Sequence, residues 1–135
     1  MKKLSNKLIS RSNIYQVPFS IDDVEDNIIV RTDNDISKEK IIDRAIKMHL
    51  EGNLIEAERI YLEIIKKKIY DKRIYSNYGI ILKDKGNLKQ AEIFFRKAIE
   101  INPSYEIAYS NLGNVLRELG RIKEAELTVK KAIKL

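Results

Sequence analysis

Three alanines, Ala57, Ala91 and Ala125, recur 34 residues apart, and each centres the same local wording. A small residue comes first, a glycine seven positions on, the alanine five beyond that, and an apolar or aromatic residue four later. The copies read Ala45-Gly52-Ala57-Tyr61, Gly79-Gly86-Ala91-Phe95 and Gly113-Gly120-Ala125-Val129. A fixed period of this size marks stacked supersecondary units, none of which can bury its apolar face alone. It therefore governs the reading of the whole chain. Stacked units build surfaces for other molecules more readily than pockets for chemistry.

Each copy reads as helix, tight turn, helix. In the second, Tyr75, Tyr78, Ile81 and Leu82 recur at helical spacing, so one face of residues 72–85 is expected to be buried. Lys85-Gly86-Asn87 breaks the pattern: glycine closes a helix in the left-handed conformation, and Asn87 is placed to cap the next helix, with Gln90 reaching back. The same turn recurs as Gly52-Asn53 with Glu56 and as Gly120-Arg121 with Glu124. Leu88, Ala91, Phe94, Phe95 and Ala98 form a second stripe. Asn102-Pro103 ends it, because the residue before a proline is pushed out of helical geometry. Gly79 and Ala91 are small so that the two helices of a pair can approach closely.

The pattern of a large apolar residue, then Leu-Gly, Tyr, Gly, Ala, Phe, Ala and Pro at set offsets belongs to the tetratricopeptide repeat, and the second copy resembles it throughout: Tyr75, Tyr78-Gly79, Leu82, Gly86, Ala91, Phe95, Ala98, Pro103. The third matches with Tyr109, Leu112-Gly113, Leu116, Gly120, Ala125 and Ala132. The first is degenerate, with Arg44-Ala45 for Leu-Gly, Ile64 for the late Ala and Ile69 for Pro, as befits a terminal repeat. The resemblance implies an all-α helix-turn-helix solenoid of six helices in three repeats, 38–71, 72–105 and 106–135, after a mostly irregular tail, 1–37. A protein-interaction role is implied with it.

The tail is different material. It carries five basic and six acidic residues, net −1, against +7 for the repeats. It holds the acidic run Ile21-Asp22-Asp23-Val24-Glu25-Asp26, and Met1–Arg11 are expected to be disordered. Patches such as Ile14–Phe19 and Asn27–Val30 are too apolar for a pure linker, so the tail is expected to drape on the first repeat, fold into the groove or act as a docking segment. Ser37 is expected to cap the first repeat helix. The chain has no cysteine, which is compatible with a reducing cytoplasm. Its basic start lacks the apolar stretch of a signal peptide, and no segment approaches a membrane span. A bacterial cytoplasmic protein is the reading.

In this family function usually lives on the concave face, lined by the first helix of each repeat. Helical phase assigns to it Ile42, Asp43, Ile46 and His49 from the first copy and Ser76, Asn77, Ile80 and Lys83 from the second. The third contributes Ser110, Asn111, Asn114 and Arg117. Ser-Asn recurs at one register in the second and third copies. Asparagine offers donors and an acceptor together, which suits the backbone amides of an extended peptide. The arrangement is similar to the asparagine ladder in the repeats of O-linked N-acetylglucosamine transferases, shortened here because Asp43 holds that place in the first copy. The carboxylate clamp that grips chaperone tails is not expected, since Ile42 and Ile46 stand where the family places Lys and Asn.

Lys66-Lys67-Lys68 with Lys72 and Arg73 is the densest basic cluster. Acidic neighbours such as Glu63 with Lys67 offset part of the excess, and Tyr70 and Tyr75 serve or border the core, so the pattern argues against nucleic acid as the main partner. The single histidine has no nucleophile at a useful spacing, the glycines serve turns and close packing, and no residue cluster has metal-ligand spacing. Neither enzyme activity nor a cofactor is expected. At the far end Ile122, Leu127, Val129, Ala132 and Ile133 leave part of an apolar face without a neighbour. Two expectations compete there: pairing through this end, with a second copy or another protein, or continuation into a longer chain. The second fits a resemblance to the N-terminal repeats of bacterial, notably cyanobacterial, proteins that go on to a transferase domain, for which these repeats would be a recruiting arm.

Overall fold

A computed structural model describes residues 33–135, and the expectations for the tail up to residue 32 lie outside them. Among the described residues there are six helices, α1 (Asp33–Leu50), α2 (Leu54–Lys66), α3 (Lys72–Asp84), α4 (Leu88–Ile101), α5 (Glu106–Glu118) and α6 (Ile122–Ile133). The chain divides into two compact units, Met1–Ile41 and Ile42–Leu135. Of the first, the described part is helical, with acidic Asp33 and Asp35 in its opening turn and an ion pair between Lys38 and Asp35 at 3.8 Å. Acidic side chains there favour the positive end of the helix dipole. The helix already runs from Asp33, so Ser37 lies inside it and caps nothing.

The unit Ile42–Leu135 is the stack. Its turns close in one way. Gly52, Gly86 and Gly120 take φ values of +80°, +80° and +79°, and the amide of the following residue reaches back five positions: Asn53 to Met48 O, Asn87 to Leu82 O, Arg121 to Leu116 O. Orphan carbonyls at each helix end are satisfied this way, and only glycine enters the left-handed region without a Cβ penalty. Capping of the second helices is less uniform than their sequences imply. Asn53 accepts from the Glu56 amide at 3.4 Å, whereas Asn87 and Arg121 make no side-chain cap bond. The repeats meet at Asp71, which caps α3 through the Arg73 amide at 2.8 Å, and at Asn102, which turns extended before Pro103.

Packing follows the small residues. A Cβ on Gly79 would stand 2.8 Å from Phe95 Cε1, and one on Gly113 would stand 2.5 Å from Val129 Cγ2. Both lie below any ordinary carbon contact, so the glycine is what lets the second helix of each pair settle onto the first. Tyr61, Ile64, Ile74, Phe95, Val115 and Leu116 are the large fully buried side chains. Between the second and third repeats Tyr75, Ala98 and Ala108 form a core layer, with Phe94, Ile99 and Tyr105 against it. Phe94 meets Tyr78 edge-on at 4.8 Å and lies 5.9 Å from Tyr75, geometries aromatic rings favour.

Ion pairs stitch each of the first two repeats to its successor, from its second helix to the turn or second helix of the next. Glu58 holds Lys85 at 2.5 Å. Glu92 and Glu124 form a closed ring with Arg96 and Arg121, every contact between 2.6 and 2.8 Å. Glu63 pairs with Arg59 rather than with Lys67.

Candidate partner-binding groove

The strip assigned to the first helices is partly as the helical phase implies and partly not. Asp43, Ser110 and Arg117 are exposed, and Ile46, His49, Asn77, Ile80, Lys83, Asn111 and Asn114 are half-buried. Two assignments need correction. Ser76 is buried at 0% exposure and Ile42 at 3%, so neither offers a surface to a partner. Ser76 belongs to α3, which has a helix pair on either side, while its counterpart Ser110 belongs to α5, which among the described residues has a pair only before it. The same register is covered in one and open in the other. The Ser76 hydroxyl finds no hydrogen-bond partner.

Several strip residues are already engaged with one another. Asn114 Oδ1 accepts from Arg117 Nη2 at 2.5 Å, which holds the guanidinium along the helix. Asp43 faces Arg73 at 3.8 Å, and Arg73 also grips Asp71 at 2.7 Å. Burial pulls the Asp71 carboxyl upward, but the Arg73 side-chain and amide hydrogen bonds outweigh it and hold it below the usual carboxylate value. Lys83 lies 3.7 Å from Asp84.

The strongest linkage runs through a residue the strip did not include. Tyr61, on α2 and fully buried, places its hydroxyl 3.1 Å from His49 Nδ1. Burial pushes the phenol up to about 12, so it keeps its proton at neutral pH. Burial also lowers His49 below its ordinary 6.5, against the pull of Asp84. In a neutral ring Nδ1 accepts the phenol O–H in one tautomer and donates to the phenol oxygen in the other. The contact ties the end of α1 to α2 within the first repeat. Sequence offered one signal for it: Tyr61 stands where Phe95 and Val129 stand in the other copies, and it alone carries a hydroxyl.

Among the described residues, three cavities flank the strip, one of them bordering its residue Arg117. One of about 370 Å³ runs between α5 and α6, floored by Gly113, Ile122, Ala125 and Val129 and rimmed by Arg117, Glu126 and Lys130. Ile122, Val129 and Ile133 are 49%, 37% and 80% exposed, which is the apolar face expected at this end. Two others, of about 440 and 560 Å³, lie on the side of α4 and α6. Tyr70, beside the lysine cluster, is 59% exposed, stacks on Tyr75 at 6.3 Å and lies 5.9 Å from Lys97 Nζ. No group of His, Asp or Glu among the described residues is arranged to hold a metal ion. None of the described helices is long and apolar enough to cross a membrane.

Residues 70–135 match the family model of the tetratricopeptide repeat. No curated protein sequence matches. Solved structures with the same fold include the second tetratricopeptide domain of Spaghetti (RPAP3) bound to the HSP90 peptide SRMEEVD, at 22% identity and a TM-score of 0.66, covering 73% of this chain and 94% of that one. The TPR2B domain of yeast Sti1 in complex with pHsp70 aligns at 24% identity and a TM-score of 0.64, covering 72% and 78%. The O-GlcNAc transferase of Thermobaculum terrenum aligns at 19% identity and a TM-score of 0.70, covering 77% of this chain but only 20% of the transferase. Residues 70–135 thus carry the tetratricopeptide repeat, and the same fold reaches into the first repeat.

Proposed function

We propose that the chain is a protein-interaction module whose first-helix strip takes an extended peptide or an extended segment of a protein partner. One observation carries the reading. Asn77 and Asn111 occupy the same register in successive repeats, both half-buried at the strip, where their amides can pair with a strand's backbone irrespective of its side chains. Domains of this fold bound to the HSP90 peptide and to pHsp70 support peptide binding in general. The ligand proposed here is of another kind. Ile46 and the buried Ile42 stand where a carboxylate clamp would need Lys and Asn, so selectivity for an acidic chain terminus is not part of the proposal.

The likeness to a transferase of which this chain spans a fifth favours a second reading, that these repeats recruit substrates for a linked or associated catalytic domain. In either case the strip acts by binding, and the chemistry belongs to another domain.

The test is capture of partners from source-cell lysate by the intact chain and by the Asn77→Ala/Asn111→Ala variant. Partners lost only with the variant are expected. Equal retention would sink the strip as the binding surface.

A further inference from the structure

We propose that Lys66, Lys67, Lys68 and Lys72, at the junction between the first and second repeats, form a docking surface for an acidic segment of a protein partner. The surface is separate from the strip. Lys72 precedes Asn77 by about 7.5 Å along the axis of α3, and the other three lysines come before that helix begins.

The backbone supplies the first argument. Lys68 takes φ +57°. Around it the Ile69 amide reaches Ile64 O at 3.2 Å and the Lys68 amide reaches Ile65 O at 2.9 Å, the same closure that is made around Gly52, Gly86 and Gly120. Glycine fills three of the four left-handed positions among the described residues, and the fourth holds a lysine, whose Cβ is strained there. A residue kept against its own backbone preference points to a use for its side chain. Joining the repeats is not that use. The equivalent positions 34 residues on are Glu100, Ile101, Asn102 and Glu106, and the second and third repeats are joined there without any of the four charges.

The charges also lack counterparts. Lys66, Lys67 and Lys68 are exposed and, like Lys72, are in no ion pair among the described residues. Acids nearby are engaged elsewhere: Glu63 with Arg59, Asp71 with Arg73 and Glu100 with Lys97. Lys72 alone leans on the fold, with Nζ 5.1 Å from the centre of the Tyr105 ring. Two features favour an acidic protein segment over nucleic acid. Phosphate-dominated binding to a duplex draws on about six to ten contacts, whereas four cations stand here, with Glu63 on the helix just before them. Arg73, beside the patch, is held by Asp71 and Asp43, so its planar fork is not free to grip a phosphate.

Fluorescence anisotropy of a labelled twelve-residue Glu-Gly repeat peptide, titrated with the full-length protein at low salt, tests the surface. Binding is expected, and Lys66→Gln/Lys67→Gln/Lys68→Gln/Lys72→Gln is expected to weaken it about tenfold, as the loss of four exposed pairs would. No binding by the parent, or equal binding by the variant, overturns the proposal. Lys68→Gly is expected to raise the urea midpoint, since glycine relieves the backbone, and yet to weaken the peptide's binding; unmoved affinity removes Lys68 from the surface. A twelve-nucleotide thymidine strand is expected to bind less tightly than the peptide, and tighter binding overturns the choice of a protein partner. Asn77→Ala/Asn111→Ala is expected to bind the acidic peptide as the parent does, so failure of the strip leaves this surface standing. A loss in that variant equal to that of the lysine variant would put the acidic segment in the groove and overturn a separate surface.

Discussion

Gly79 lies so close to Phe95 that a single added methyl would stand 2.8 Å from the ring's Cε1 and 3.0 Å from two more of its carbons. Phe95 is fully buried, so it has nowhere to retreat. Gly79→Ala is expected to gain helix propensity of about 1 kcal/mol yet lose more to overpacking, about 1–3 kcal/mol. Gly79→Leu is expected to unfold the second repeat. An unchanged melting temperature for the leucine variant would refute the packing register.

Ser76→Ala is expected to stabilise the protein. The hydroxyl is fully buried and unpaired, and such a group costs about 1–3 kcal/mol relative to an apolar atom in its place. Urea unfolding midpoints compare the two proteins directly, and a lower midpoint for the alanine variant would mean that the hydroxyl has a partner.

His49 makes stability depend on pH in a narrow window. Burial holds its folded value below the ordinary 6.5, so the unfolded chain binds the proton more readily than the native one. The neutral ring's contribution is complete above 6.5 and is lost as pH falls through the folded value beneath it. Because the chain has one histidine, the unfolding midpoint of His49→Gln should stay flat over that window while the parent's declines. Parallel curves would contradict the assignment.

Asp71→Ala removes the cap of α3 and both of its links to Arg73. A loss of about 0.5–2 kcal/mol is expected, read by chemical denaturation at pH 7. The folded Asp71 value is depressed below 3.8, so its contribution is present in full above 3.8 and disappears as pH drops through the lower folded value. The variant should therefore converge on its parent only in strong acid.

Most of the fold was legible because period and composition agree. Gly86, Ala91 and Pro103 each do in the structure what their spacing implies, and the three glycine turns close identically. The strip was legible only by half. Helical phase locates a side chain on its own helix, and that sufficed for Asn77, Asn111 and Asp43. It says nothing of how far a neighbouring repeat covers that side chain, which is why Ser76 and Ile42 were misplaced on the surface. Capping residues such as Asn87 failed for a related reason: the turn is closed by backbone bonds around Gly86, so the asparagine side chain is optional. Tyr61 escaped because an aromatic at a core position reads as packing, and its hydroxyl matters only when the neighbours around it are known.

The ring of Glu92, Arg96, Arg121 and Glu124 makes one side of the joint between the last two repeats sensitive to ions. Its charges are solvent-facing to differing degrees and lie on the side of the second helices, while the other side of the joint is fastened by packed aromatics and alanines. Added salt weakens such partly exposed pairs and leaves the packed apolar side untouched. The joint between the last two repeats is therefore held by one fastening that responds to ions and one that does not.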